Sequence, residues 1–189
     1  QKALYNVVLE AQIAAINAVK IGSSYKEPHH VAVRILVQGL LDLGIMQGDL
    51  DEIIASERYR QFYMHGTGHW LGMDVHDVGA YKVDGEWRVF EEGMVVTVEP
   101  GLYIAPDDET VDPKWRGIGI RIEDDIVATK NGPLNLTSKV VKTVEDIEAS
   151  YDMLEKEGIT IVNSRDEIPD YDEDDDDGVV LNEEGGIDV

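Results

Sequence analysis

Hydrophobic residues recur at intervals of three and four along the first forty positions and at intervals of two further on, and this change of period divides the chain. Leu4, Val7, Val8, Ala11, Ala15 and Val19 form one stripe of a helix over residues 2–20, with Gly22 as its stop. Val33, Leu36, Val37, Leu40 and Leu41 repeat the stripe over residues 28–43, and Gly44 lies just past its end. Residues 49–56 predict a short third helix. Residues 61–79 hold too much glycine for a helix and predict strand, tight turns and loop. From Gly93 the period falls to two, so strands are expected over 94–99, 101–104 and 118–129, with Asn131-Gly132 as a turn. A last helix over 143–156 opens with Thr143 and Asp146 spaced as in a capping box. Helices packed on a curved, largely antiparallel sheet make this an α+β domain.

After Gly158 the composition changes. The segment ITIVNS (159–164) could add an edge strand, but YDEDDDDG (171–178) buries nothing and repels itself. The chain is therefore expected to divide into a domain over 1–157 and an acidic, disordered tail over 158–189. Charge supports the division: the formal net charge is −23, and residues 151–189 hold 15 acidic side chains against 2 basic ones. Such a surface argues against nucleic-acid binding, which needs cations to displace counterions from phosphate. Cysteine is absent, which excludes disulfides and thiolate metal sites and suits a cytoplasmic protein. No apolar run is long enough to span a membrane, and no signal-peptide pattern opens the chain. The first residue is Gln1, so a processed, truncated or excerpted chain is expected.

The chemistry concentrates in MHGTGHWLGMDVHDVG (64–79), where His65, His69 and His76 stand among glycines with Asp74 and Asp77. His65 and His69 have the four-residue spacing of helical zinc motifs, but Gly66 occupies the place of the catalytic glutamate, so that reading fails. The pair His29-His30 follows Pro28 at a helix start and reads as capping or surface. Asp77 either orients an imidazole or caps a turn. Alternation over 118–129 places Ile118, Ile120, Ile122, Asp124 and Ile126 on one face and Arg121, Glu123 and Asp125 on the other. The same rule puts Val95, Thr97 and Glu99 together, and Pro100-Gly101 then breaks the ladder at the glutamate. A carboxylate held at such a strand end is costly unless a cation pairs with it, although two exposed glutamates on an edge fit the pattern equally well. One histidine and two glutamates delivered by three elements compose a metal site suited to hydrolysis.

HGTGHWLGMDVHDVG, VVTVEPGLYIAP and RGIGIRIEDDIVAT, in that order, resemble the signature blocks of the Xaa-Pro aminopeptidases (aminopeptidase P), members of the pita-bread metallopeptidase family with prolidase and methionine aminopeptidase. The resemblance covers residues 1 to about 150. It implies the pita-bread (creatinase/aminopeptidase) fold, here incomplete, and removal of an N-terminal residue that precedes proline. It also implies two divalent ions, usually Mn2+, activating a hydroxide for attack on the scissile carbonyl. His69, Glu99 and Glu123 would be the metal ligands, Glu123 bridging both ions and Glu99 doubling as proton carrier. His65 and His76 would contact substrate and stabilise the transition state, with Arg121 supporting the site. The family site uses five protein ligands, and no segment here provides the other two, which are aspartates. The chain alone is therefore expected to be inactive or nearly so, needing a missing N-terminal half; a homo-oligomer is a further expected partner. Two alternatives stand beside this: a prolidase-type dipeptidase, and a non-catalytic, histone-chaperone-like binding module with an acidic tail.

Overall fold

The computed structural model describes residues 1–159. Residues 1–147 form one compact unit and a second begins at Glu148. The acidic tail and the edge strand expected after Gly158 therefore fall almost wholly outside the described residues.

The chain opens with α1 (Lys2–Ala18) and α2 (Glu27–Asp42), followed by the short α3 (Leu50–Ala55). Each forms for a local reason. Pro28 sits in the first turn of α2, where a missing N–H is harmless. Asp49 caps α3 by accepting the N–H groups of Asp51 and Glu52, both at 3.0 Å. The predicted stripes are the buried ones: Leu4, Val8, Ala11 and Ala15 of α1 pack with Val33, Leu36, Val37 and Leu40 of α2. At their crossing Gly39 lies against Val7 so closely that a β-carbon would overlap both of its methyls.

The strands are β1 (Lys82–Val83), β2 (Glu86–Trp87), β3 (Val95–Val98), β4 (Gly101–Tyr103), β5 (Gly119–Arg121), β6 (Asp124–Thr129) and β7 (Gly132–Asn135). All pairings are antiparallel: β1 with β2, β3 with β6, β6 with β7, and β4 with β5. β1 and β2 join through Asp84-Gly85, both at positive φ, a two-residue turn outside the expected elements despite its Asp-Gly signal. The turn expected at Asn131-Gly132 falls one residue earlier, at 130–131, because Gly132 already pairs with Thr129 as the first residue of β7. Segment 61–79 carries turns and bends, with only Trp70 bridging to Val96 of β3.

The strand expected over 118–129 is two strands. β5 pairs with β4 and β6 with β3, and the breaks oppose one another: Glu99 and Pro100 on one side, Ile122 and Glu123 on the other. Pro100 has no N–H to give the ladder, and its carbonyl accepts from Ile122 N–H at 3.3 Å. The ladder is interrupted at this point. Val96, Val98, Leu102, Ile104, Ile122, Ile126 and Ala128 turn inward against the helices, while Glu99 and Glu123 lie at the interruption. The final helix, α4 (Val144–Lys156), is capped as expected, with Thr143 Oγ1 accepting Asp146 N–H at 3.1 Å.

Candidate metal centre

The break in the ladder leaves Glu99 and Glu123 beside His69, which the histidine-rich loop delivers. That loop is held to β3 by Thr97 N–H to the His69 carbonyl at 3.0 Å and Glu99 N–H to the Thr67 carbonyl at 2.7 Å. Between these anchors Gly68 passes so near the Thr97 carbonyl that no β-carbon fits, so the close approach needs glycine. One donor atom from each of His69, Glu99 and Glu123 lies within 4.8 Å of the other two.

Hydrogen bonds orient these donors. His69 Nδ1 lies 2.9 Å from the Trp70 carbonyl, which only accepts, so Nδ1 carries a proton and Nε2 is the nitrogen directed at the site. That Nε2 faces Glu99 Oε1 at 3.3 Å. Glu99 is buried, and its Oε1 accepts the Thr97 hydroxyl at 3.0 Å while Oε2 lies 3.5 Å from Arg121 Nη1. Partial desolvation pushes the Glu123 carboxyl above its ordinary value, and the neighbouring Glu99 and Asp125 carboxylates push the same way. Two carboxylates and an imidazole that converge beside one guanidinium are a donor set for a divalent cation. The oxygen-rich, sulfur-free composition suits a hard or borderline ion.

A second line of contacts runs beside the first. His65 Nδ1 donates to the Gly66 carbonyl at 2.7 Å, so its Nε2 accepts from the Tyr103 hydroxyl at 2.8 Å. That hydroxyl in turn accepts from Arg121 Nε at 2.7 Å, and this hydrogen bond raises the arginine's pKa further. The His76 ring lies 4.3 Å, centroid to centroid, from that of His69, at the exposed rim.

The structure thus brings His65, His69, His76, Glu99, Arg121 and Glu123 into one neighbourhood. The face assignments hold: Ile122, Asp124 and Ile126 are buried, and Glu123 is exposed. Asp77 serves a turn, accepting Val78 N–H at 2.9 Å. His29, read as capping or surface, points inward instead, with Nδ1 2.9 Å from the Thr67 hydroxyl; His30 is the exposed one. Packing α2 against the loop turns His29 in, which no local pattern announces. Tyr103 is a site residue that the sequence pattern did not single out, though a signal existed: Arg121 pairs with Gly101, and a residue two further along reaches the diagonal position.

A sheet-and-helix unit with this site belongs to a known class. The chain is a member of metallopeptidase family M24, whose model matches residues 1–130. Among its relatives, the Xaa-Pro aminopeptidase of Escherichia coli is 55% identical over 149 residues, covering 79% of this chain and 33% of the relative. That of Haemophilus influenzae is 51% identical over 148 residues, covering 78% and 34%. Among solved structures, Pseudomonas aeruginosa aminopeptidase PepP superposes with a TM-score of 0.81 at 57% identity, covering 82% of this chain and 35% of its own. A zinc-substituted E. coli aminopeptidase P in complex with product gives 0.75 at 55% identity, covering 79% and 33%. The chain spans about a third of the length of these relatives, so its α+β architecture is part of the pita-bread fold. Among the described residues no helix is long and apolar enough to cross a membrane.

Proposed function

We propose that residues 1–157 are the C-terminal part of the catalytic domain of a metal-dependent exopeptidase that releases the N-terminal residue from peptides with proline in second position. The observation that carries this is the convergence of His69, Glu99 and Glu123 donors within 4.8 Å. The relatives named Xaa-Pro aminopeptidase support the substrate class.

His69 through Nε2, Glu99 and Glu123 would hold two divalent ions, Glu123 bridging both, and Mn2+ matches the carboxylate-rich set. When bound, the ions supply Lewis-acid polarisation of the scissile carbonyl and activation of water. The protein's own groups do the rest. Glu99, buried and hydrogen-bonded by Thr97, carries a proton from nucleophile to leaving amine. His65 and His76 contact the substrate and stabilise the transition state, with His76, exposed at the rim, the one placed to donate to the developing oxyanion. Arg121 fixes Glu99 and, through Tyr103, His65. The 189 residues hold three of the five ligands that the family resemblance implies, so a further stretch of protein is needed for turnover. A cysteine-free chain of this composition suits the cytoplasm.

The test is Mn2+ calorimetry on the chain and on Glu123→Gln, paired with an assay on an Xaa-Pro-Xaa tripeptide. Loss of a ligand should weaken Mn2+ by at least roughly tenfold. The chain alone should show little or no cleavage. Binding indifferent to Glu123→Gln removes the metal assignment, and full-rate cleavage removes the incomplete-site assignment.

A further inference from the structure

Asp124 follows Glu123 directly, yet its side chain points the opposite way into the core and is 2% exposed. Three donors from two parts of the chain meet its carboxylate. Gln12 of α1 donates to Oδ2 at 2.6 Å, Lys142 Nζ reaches Oδ1 at 2.8 Å, and the Thr137 hydroxyl also donates to Oδ1. The donors are themselves tied. Lys142 gives its remaining protons to the carbonyls of Val140 at 3.0 Å and Thr137 at 3.3 Å, and Tyr5 of α1 donates to the Lys142 carbonyl at 2.7 Å. Thr137 Oγ1 accepts Asp125 N–H at 3.1 Å.

A buried ion pair is seldom a good source of stability, because an apolar replacement of the same shape often does as well. What it does supply here is fixity where the backbone has little of its own. Glu123 falls in the gap between β5 and β6, outside either ladder. Its carboxylate also faces that of Glu99, and like charges push the two apart when no cation lies between them. A neighbour clamped from three directions opposes that push.

We propose that Asp124 is a positioning residue: its clamp of Gln12, Thr137 and Lys142 holds the Glu123 carboxylate in place beside His69 and Glu99. The inference rests on the metal reading for its functional meaning but not for its geometry, and the test separates the two. The double variant Asp124→Asn with Lys142→Met removes the clamp without stranding a buried ammonium. Val33→Ala, in the core of α2, is the comparison for plain loss of stability.

Crystal structures of both variants without metal decide the geometric point. The Glu123 carboxylate should move by about 1 Å or more from His69 and Glu99 in the clamp variant and stay in place in Val33→Ala. Calorimetry with Mn2+ decides the functional one: affinity should fall roughly tenfold in the clamp variant and be unchanged in Val33→Ala. An unmoved Glu123 overturns the proposal. A moved Glu123 with unchanged Mn2+ affinity overturns its functional half, whereas a native chain that binds no Mn2+ overturns the metal reading and leaves the crystal structures to judge the clamp. Should the double variant not fold, Thr137→Val removes a single donor and carries the same comparison.

Discussion

At the residue scale, Thr67 joins more of the site than its size suggests. Its carbonyl holds the Glu99 backbone, and its hydroxyl meets both His29 Nδ1 at 2.9 Å and the Tyr63 hydroxyl at 2.6 Å. His29 therefore sits half-buried behind the candidate metal centre. Burial is the main reason its pKa falls from 6.5 to about 4, with the charges of Lys26, His30, His65 and Arg60 adding to the effect. In that interval the unfolded chain binds a proton that the folded chain refuses. The contribution is intact above pH 6.5 and is lost as pH falls towards 4, at no more than about 1.4 kcal/mol per pH unit. Chemical denaturation across this window should show the native chain losing stability on acidification more steeply than His29→Gln. Parallel slopes in the two proteins would refute the assignment.

At the element scale, two features set the architecture. The first is the break in pairing at Pro100, which divides one long hairpin into β3–β6 and β4–β5 and leaves both glutamates at the joint. The second is the α1–α2 crossing at Gly39. Alanine there would add helix propensity of up to about 1 kcal/mol but would force a β-carbon into Val7, whose branched side chain cannot swing clear. Overpacking should prevail, lowering stability by about 1–2 kcal/mol net. Adding Val7→Ala should recover part of that loss, which denaturant melts of the single and double variants can measure. Both helical stripes were readable because burial follows a 3.6-residue period. The split of 118–129 was not, because nothing within IRIEDD announces a break; its cause lies in Pro100 on the partner strand.

For the whole molecule, charge outweighs other surface effects. A net charge of −23 on 189 residues makes self-repulsion oppose folding wherever water does not screen it. Raising sodium chloride from about 0.01 M to about 0.15 M shortens the screening length from about 30 Å to about 8 Å, and the thermal midpoint should rise. A midpoint that falls over this range would show that attractive ion pairs outweigh the repulsion. The described ion pairs outside the site and the Asp124 clamp are surface contacts such as Arg34–Asp51 at 2.8 Å and Lys130–Glu92 at 2.9 Å. Exposed pairs of this kind contribute little, so repulsion should prevail.

The sequence by itself determined the residue types available to the site, the two helical stripes, and, by alternation, that Glu123 faces away from the buried Ile122, Asp124 and Ile126. All of these follow from local periodicity and from the side-chain chemistry of single positions. Only the tertiary structure decided that His29 turns inward, that Tyr103 links Arg121 to His65, and that Asp124 is clamped by Gln12 and Lys142. Each of these joins residues far apart in the chain, and such contacts exist only once α1, α2 and the strands have packed. Distance along the chain says nothing of distance in space, so a pattern of period two or 3.6 can point a side chain inward without saying what it will meet there.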